Sequence, residues 1–344
     1  MRYSNLKLVI TSQFKQPGGN AVSYLIKGKP GGGKSELSRD VVRSMGGNGD
    51  NTVEFNASTR DPVDLLGTPN NRDQPFTSWV PPEEFYKLRA GRPGDATGEP
   101  CFLILEEMTD ASMPMQNAIC RVILDRHAGN LKLSPYLHII GSGNRTEDKS
   151  GASRLSTKLG NRLRQHTFEE NLDDWVEWAQ GANIDPVLTQ FIRYMPAALM
   201  DFDANRSDGI NATPRSWESV SRIDPTLPLD LYFAECAGSV GQGRAAEYVA
   251  FRKVYFNLVS LEDVVMGPTT VPVPEDLSAI YATVGSCAQG ATVGNVDRIA
   301  QFMDRLPPAF STMFWMDAKK KEPKLKGTEG FLAWAIRNEN CVLN

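Results

Sequence analysis

The sequence predicts an α/β fold, a parallel sheet with helices on its faces, followed by a helical domain, and three observations predict it. Residues 21–46 read as strand, glycine-rich turn and helix. Strand-like and helix-like runs then keep alternating to about residue 170, which in an α/β chain means parallel strands joined by crossover helices. After Glu170 the apolar spacing turns helical and stays so.

Taken in order, Val22 to Lys27 is extended and largely apolar, and Ser35 to Met45 carries apolar residues at helical spacing. Thr52 to Asn56 is β-like and follows a Gly-Gly-Asn-Gly-Asp turn cluster. Residues 57–99 are rich in Pro, Gly, Asp and Asn and predict an elaborated connection with one short helix near Glu83 to Ala90. Phe102 to Leu105 reads as a buried strand, Pro114 to Leu124 as a helix and Leu137 to Ile140 as another buried strand. The stretch from Asp173 to Ala179 opens the helical part, so the boundary is set there: residues 1–170 form the α/β core and residues 171–344 the helical domain. Within the latter, residues 267–275 predict a Pro-rich break and Lys319 to Lys326 a basic loop. Trp175, Trp178 and Trp217 are expected in its core.

A chain of 344 residues is long enough for two domains, each with a core. Apolar residues at 41% and charged residues at 23% exclude a disordered or fibrous chain. The longest apolar runs, Cys101 to Leu105 and Leu137 to Ile140, fall far short of the roughly 18 residues of a membrane span. The opening residues Met1 to Leu6 carry no secretory pattern, so the expected location is the cytoplasm. The 5 cysteines (Cys101, Cys120, Cys236, Cys287 and Cys341) are scattered without a Cys-x-x-Cys pair, so neither a disulfide framework nor a zinc site is expected. A net charge of −4 argues against a chain that coats nucleic acid and favours protein partners.

The most specific motif is Gly28 Lys29 Pro30 Gly31 Gly32 Gly33 Lys34 Ser35, which fits G-x-x-x-x-G-K-[ST] between a strand and a helix. Glycines let backbone N–H groups wrap phosphates, and the helix start adds positive potential. Lys34 supplies a mobile cation, the Ser35 hydroxyl is a ligand for Mg²⁺, and Glu36 completes the nucleotide-binding stretch. The cofactors implied are ATP and Mg²⁺. Cys101 to Glu107 is an apolar strand ending in two carboxylates, which a parallel sheet places beside the phosphates. By position Glu106 holds the Mg²⁺ shell and Glu107 polarises the attacking water. A competing run, Val259 to Asp263, reads instead as a helix start.

From here the chain resembles the MoxR-like branch of the AAA+ ATPases (the dynein-related AAA subfamily), particularly compact versions encoded by bacterial viruses. The resemblance covers about residues 20–220, and loosely the tail around Arg305 Leu306 Pro307 and Trp334. It implies a P-loop NTPase (AAA+) parallel-sheet core with a C-terminal helical lid. Ile139 to Asn144 matches the family's strand ending in a polar residue, which makes Asn144 the sensor of the lytic water. Leu159 Gly160 Asn161 Arg162 Leu163 Arg164 is similar to the element whose arginine reaches a neighbouring subunit's γ-phosphate, so Arg162, with Arg164 as the alternative, is implied as an arginine finger. Thr213 Pro214 Arg215 resembles the second sensor signature that opens a lid helix, implying Arg215 as a nucleotide contact. The family usually has Asp where this chain has Glu106, one methylene longer.

An arginine supplied in trans implies a ring of identical chains, six as the resemblance has it, whose ATP hydrolysis remodels or activates a client protein, often one with a von Willebrand factor A domain. Asp61 to Gly67 and a hairpin turning at Gly129 Asn130 are the segments expected to touch a client. A nucleic-acid motor or helicase loader is one alternative, disfavoured because the segment from Asp61 to Gly67 is acidic and apolar. A nucleotide-gated scaffold with incidental turnover is the other.

Overall fold

The computed structural model describes residues 1–71, 77–148, 151, 155–256 and 260–338; Val259 and Cys341 lie outside the described residues. Two compact units divide the chain. The first is Met1–Asp174 with Phe202–Gly209, and the second is Trp175–Asp201 with Ile210–Asn344.

In the first unit, helix α1 (Tyr3–Phe14) precedes β1 (Ser23–Gly28), α2 (Lys34–Ser44) and β2 (Thr52–Asn56). The connection after β2 is richer than expected. It holds a short helix α3 (Val63–Leu66), an antiparallel pair β3 (Thr68–Asn70) and β4 (Ser78–Val80), and two 3₁₀ turns, so the segment near Glu83 is a 3₁₀ helix rather than an α-helix. Then come β5 (Cys101–Glu106), α4 (Met113–Asp125), the hairpin β6 (His127–Ala128) with β7 (Leu131–Lys132), β8 (Leu137–Asn144), α5 (Thr157–Gly160) and β9 (Leu163–Thr167). Helix α4 starts where Ser112 caps the Met115 N–H, with Pro in the first turn, where a missing N–H costs nothing.

The strands β2, β5, β8, β1 and β9 lie in that order in one sheet, and every pairing is parallel. The fold class is therefore the expected one, an α/β P-loop core with a parallel sheet. Both faces are apolar and covered, as all-parallel sheets require. Leu25, Leu103, Leu105 and Ile139 pack with α4 residues such as Met115 and Ile119 on one face. Tyr24, Ile26, Phe102, Ile104 and Ile140 pack with Leu6, Ile10, Leu37 and Val41 on the other.

Helix α6 (Leu172–Gly181) contains the division between the units. The second unit is helical among its described residues: α7 (Pro186–Tyr194), α8 (Pro214–Val220), α9 (Leu229–Val240), α10 (Gln242–Phe256), α11 (Leu261–Met266), α12 (Leu277–Gly290), α13 (Val296–Met303), α14 (Pro308–Lys321) and α15 (Glu329–Arg337). Its core includes Phe302, Phe314, Trp315 and Trp334. Trp217 is fully buried and Trp175 nearly so, whereas Trp178 is half-buried. Lys319 to Lys321 are the last turn of α14 and not a loop. Cations there face the negative end of the helix, which suits them locally. No helix among the described residues is long and apolar enough to cross a membrane.

Candidate functional site

The loop between β1 and α2 is built by its glycines. Gly31 and Gly33 sit at φ 71° and 108°, a left-handed region that a side chain would strain. Gly33 occupies the cap position of α2 without a side-chain cap, so the first N–H groups of the helix are left to the loop. Lys34 is only 8% exposed. Its Nζ donates to the carbonyls of Gly28 (3.0 Å) and Lys29 (2.7 Å) and to Asn144 Oδ1 (3.0 Å). The ammonium is folded over its own loop on neutral acceptors, and phosphate oxygens are stronger acceptors than neutral carbonyls. Glu36 follows in the first turn, but its carboxylate pairs with Arg43 along α2. Its backbone N–H is the part that can serve a nucleotide.

At a β-carbon's distance from Gly32 lies Glu170. A Cβ added at Gly32 would collide with Glu170 Oε1, so this glycine makes room for a carboxylate. Pro30 holds the middle of the turn, between Lys29 and Gly31.

Glu106 ends β5, and its Oε2 accepts from Ser35 Oγ at 2.6 Å and from Ser142 Oγ. The extra methylene of Glu106 therefore does not hold it away from the P-loop serine. Its Oε1 is buried and has no hydrogen-bond partner among the described residues. A hydroxyl and a carboxylate side by side, with one carboxylate oxygen unmet, suit a small hard cation that takes few protein ligands and completes its octahedron with water and phosphate. Among the described residues no group of three or more His, Cys, Asp or Glu could hold a metal by itself.

Glu107 begins a tight turn at φ 55°. Its Oε2 accepts from Asn56 Nδ2 (3.2 Å) and from Ser58 Oγ, both at or just past the end of the neighbouring strand β2. The carboxylate thus faces β2. Asn56 and Ser58 are not expected from the sequence; a polar pair at a strand end beside an acidic strand end is the only signal they offer.

The turn then runs back along β8. Met108 N–H donates to Ser142 O at 2.8 Å, Asp110 N–H to Glu107 O at 3.0 Å, and Asn144 N–H to Thr109 Oγ1 at 2.8 Å. Asn144 Nδ2 donates to Asp110 Oδ2 at 3.0 Å. Burial pushes the Asp110 carboxyl up and Glu107 adds to this, against the opposing pull of the Asn144 amide and Lys34. Asp110 too is absent from the sequence expectations. A cavity of about 440 Å³ is lined by Asn144 together with Lys27, Thr109, Arg145, Asn161 and Gln165 among others, and its lining does not include Lys34 or Ser35.

The arginines are placed differently. Arg162 is half-buried and its Nη1 donates to Lys158 O at 2.6 Å, while Arg164 is exposed on β9 and bonds Gln13 Oε1 at 2.9 Å. Both partners lie outside the P-loop. Arg215 is exposed in the first turn of α8, behind a capping box in which Ser216 N–H donates to Thr213 Oγ1 and Thr213 N–H to Ser216 Oγ.

No family model matches the chain, and no curated protein matches it. Among solved structures it is similar to NtrX from Brucella abortus, at 16% identity over 91% of this chain and 67% of that one, with a TM-score of 0.38. It is also similar to a RuvB mutant from Thermotoga maritima, at 13% identity over 77% and 80% of the two chains, TM-score 0.39. A DNA polymerase III gamma subunit-related protein from Thermotoga maritima shares 9% identity over 92% and 83%, TM-score 0.35.

Proposed function

We propose that this chain is a Mg²⁺-dependent ATPase of the AAA+ type, MoxR-like and of the compact viral kind, whose active site is completed by a second copy in a ring. The observation that supports it best is the Ser35–Glu106 bond at 2.6 Å, which joins the two motifs across 71 residues at the place a triphosphate's cation needs them.

In this reading the loop N–H groups and Lys34 take the phosphates, and Ser35 and Glu106 hold Mg²⁺. The ion, when bound, offsets the negative charge of the phosphate oxygens. Glu107 serves as general base once it turns from Asn56 and Ser58 toward a water, and Asn144 orients that water. Arg162 of a neighbouring copy stabilises charge on the transferred group, Arg164 being the alternative, and Arg215 contacts the nucleotide from the helical unit. The ring, six-membered in this reading, works in the cytoplasm on a client protein, one with a von Willebrand factor A domain being the type proposed; nucleic acid is the less favoured client, because the segment from Asp61 to Gly67 is acidic and apolar.

Titration calorimetry and phosphate release test the core of this. Lys34→Ala should weaken ATP binding by about 10- to 100-fold or more, the value of a lost charge-assisted bond to phosphate. Glu107→Gln should bind ATP as the wild type does and lose about 10²- to 10⁴-fold in turnover. Wild-type affinity in Lys34→Ala rejects the P-loop assignment. Normal turnover in Glu107→Gln together with loss in Glu106→Gln reverses the two carboxylate roles.

A further inference from the structure

Asn144 lies between two groups of opposite chemistry. Its Oδ1 accepts from Lys34 Nζ at 3.0 Å and its Nδ2 donates to Asp110 Oδ2 at 3.0 Å. An ammonium can only donate and a carboxylate can only accept, so both partners demand the same orientation of the amide. Reversed, the amide would set N–H against ammonium and oxygen against carboxylate.

These two restraints differ in what a nucleotide does to them. Phosphate oxygens compete for Lys34, because charged acceptors outbid an amide oxygen. Asp110 has no such competitor. It is carried by the turn that starts at Glu107, pinned to β8 by the Met108–Ser142 and Thr109–Asn144 bonds. Its second oxygen, Oδ1, is buried without a hydrogen-bond partner among the described residues, a cost that packing alone does not require.

We infer that Asp110 is the positioning residue for Asn144, holding the amide in one orientation while a triphosphate engages Lys34. One hydrogen of Nδ2 goes to Asp110, which leaves the other aimed by the same bond at a phosphate oxygen or a water. The inference rests on the ATPase reading and adds to it a residue that acts through the sensor and not on the nucleotide. It also ties the sensor to the base, because Glu107 and Asp110 are the two ends of one turn.

The test uses the full chain and four variants: Asp110→Ala, Asp110→Asn, Asn144→Ala and the double variant Asp110→Ala with Asn144→Ala. Steady-state turnover gives kcat and KM, and calorimetry gives affinities for ADP and a slowly hydrolysed ATP analogue. Asp110→Ala should lower kcat by about 10- to 100-fold, the scale of a mispositioned catalytic group, with ADP affinity unchanged within about threefold. Asp110→Asn keeps the shape and a side-chain acceptor for Nδ2, and should recover part of the loss. The double variant should be no slower than Asn144→Ala alone, since Asp110 has nothing to position once the amide is gone. Wild-type kcat in Asp110→Ala, losses that multiply in the double variant, or a matching fall in ADP affinity would each overturn the inference. Absence of turnover in the wild type would sink the ATPase reading instead. The positioning role would then be decided by binding: an unchanged preference for the ATP analogue over ADP in both Asp110 variants overturns it, and a preference lost in Asp110→Ala and partly kept in Asp110→Asn supports it.

Discussion

The inner strands of the sheet and β9, one of its two edge strands, are assembled to opposite ends. Strands β5, β8 and β1 are buried along nearly their whole length, and the polar residues at their carboxyl ends bond to one another: Glu106 to Ser35 and Ser142, Asn144 to Lys34 and Asp110. Strand β9 pairs with β1 on one side only, and Arg164 and Gln165 on it are exposed. Its arginine neighbour Arg162 is met by a backbone carbonyl, that of Lys158. Groups on the inner strands complete one another within the chain, whereas the arginines beside and on β9 are held by single bonds to Lys158 O and Gln13 Oε1, far from the carboxylates in sequence. The proposed sharing of the active site between copies rests on that contrast.

The largest effect should come from Arg162, the residue just before β9. Arg162→Ala should bind ATP within about threefold of wild type and lose about 10³-fold or more in turnover, as trans arginines do in phosphoryl transfer. Arg164→Ala should lose far less. Mixing Arg162→Ala with Glu107→Gln should restore activity, because each supplies the half the other lacks. Failure to restore it at any ratio, with mixed assembly confirmed by mass measurement, would remove the functional contrast between inner and outer strands.

An intermediate effect should come from two histidines on neighbouring parts of the same sheet. His138 on β8 is 6% exposed between Phe14 and Phe102, and burial first, then Arg126, lowers its pKa to about 4. A base that is neutral when folded and protonates near 6.5 when unfolded stabilises the fold fully above that pH, and its share is lost as pH falls from about 6.5 to about 4. The share is of order 3 kcal/mol. His166 on β9 is half-buried and lowered by burial, the N-terminal amino group and Arg164, so its share should be smaller. Denaturant unfolding at pH 7 and pH 5 should show His138→Phe gaining on wild type as pH falls, and His166→Phe gaining less. A constant gap for His138→Phe would contradict its neutral burial.

The smallest effects concern packing. Gly143 on β8 has Thr109 2.7 Å from where a Cβ would stand, so Gly143→Ala should cost about 1–3 kcal/mol by overpacking and slow turnover by shifting the turn that carries Glu107 and Asp110. Gln165→Ala on β9 should stay within about 0.5 kcal/mol in the same denaturant titration. Equal costs at the two positions would mean the outer strand is as tightly held as the inner ones.

Much of this is legible from residues alone where the physics is local. The glycines, Lys34 and Ser35 are adjacent in the chain, and a strand before and a helix after them are set by neighbouring residues, so spacing suffices. The same holds for Thr213, which caps the helix that Pro214 opens; the return bond from Ser216 is seen only in the fold. The basic run after Lys319 reads as a loop in the sequence and is helical in the fold, because a helix's last turn and a loop share a taste for lysine.

The partners of the proposed catalytic groups are another matter. Glu107 meets Asn56 across 51 residues, Asn144 meets Asp110 across 34, and Lys34 meets Asn144 across 110. Sequence determined that an acidic strand end and a polar strand end exist. Only the strand order, β2 beside β5 and β5 beside β8, decided which polar group faces which carboxylate, because hydrogen-bond partners across a sheet are chosen by neighbouring strands and not by chain spacing.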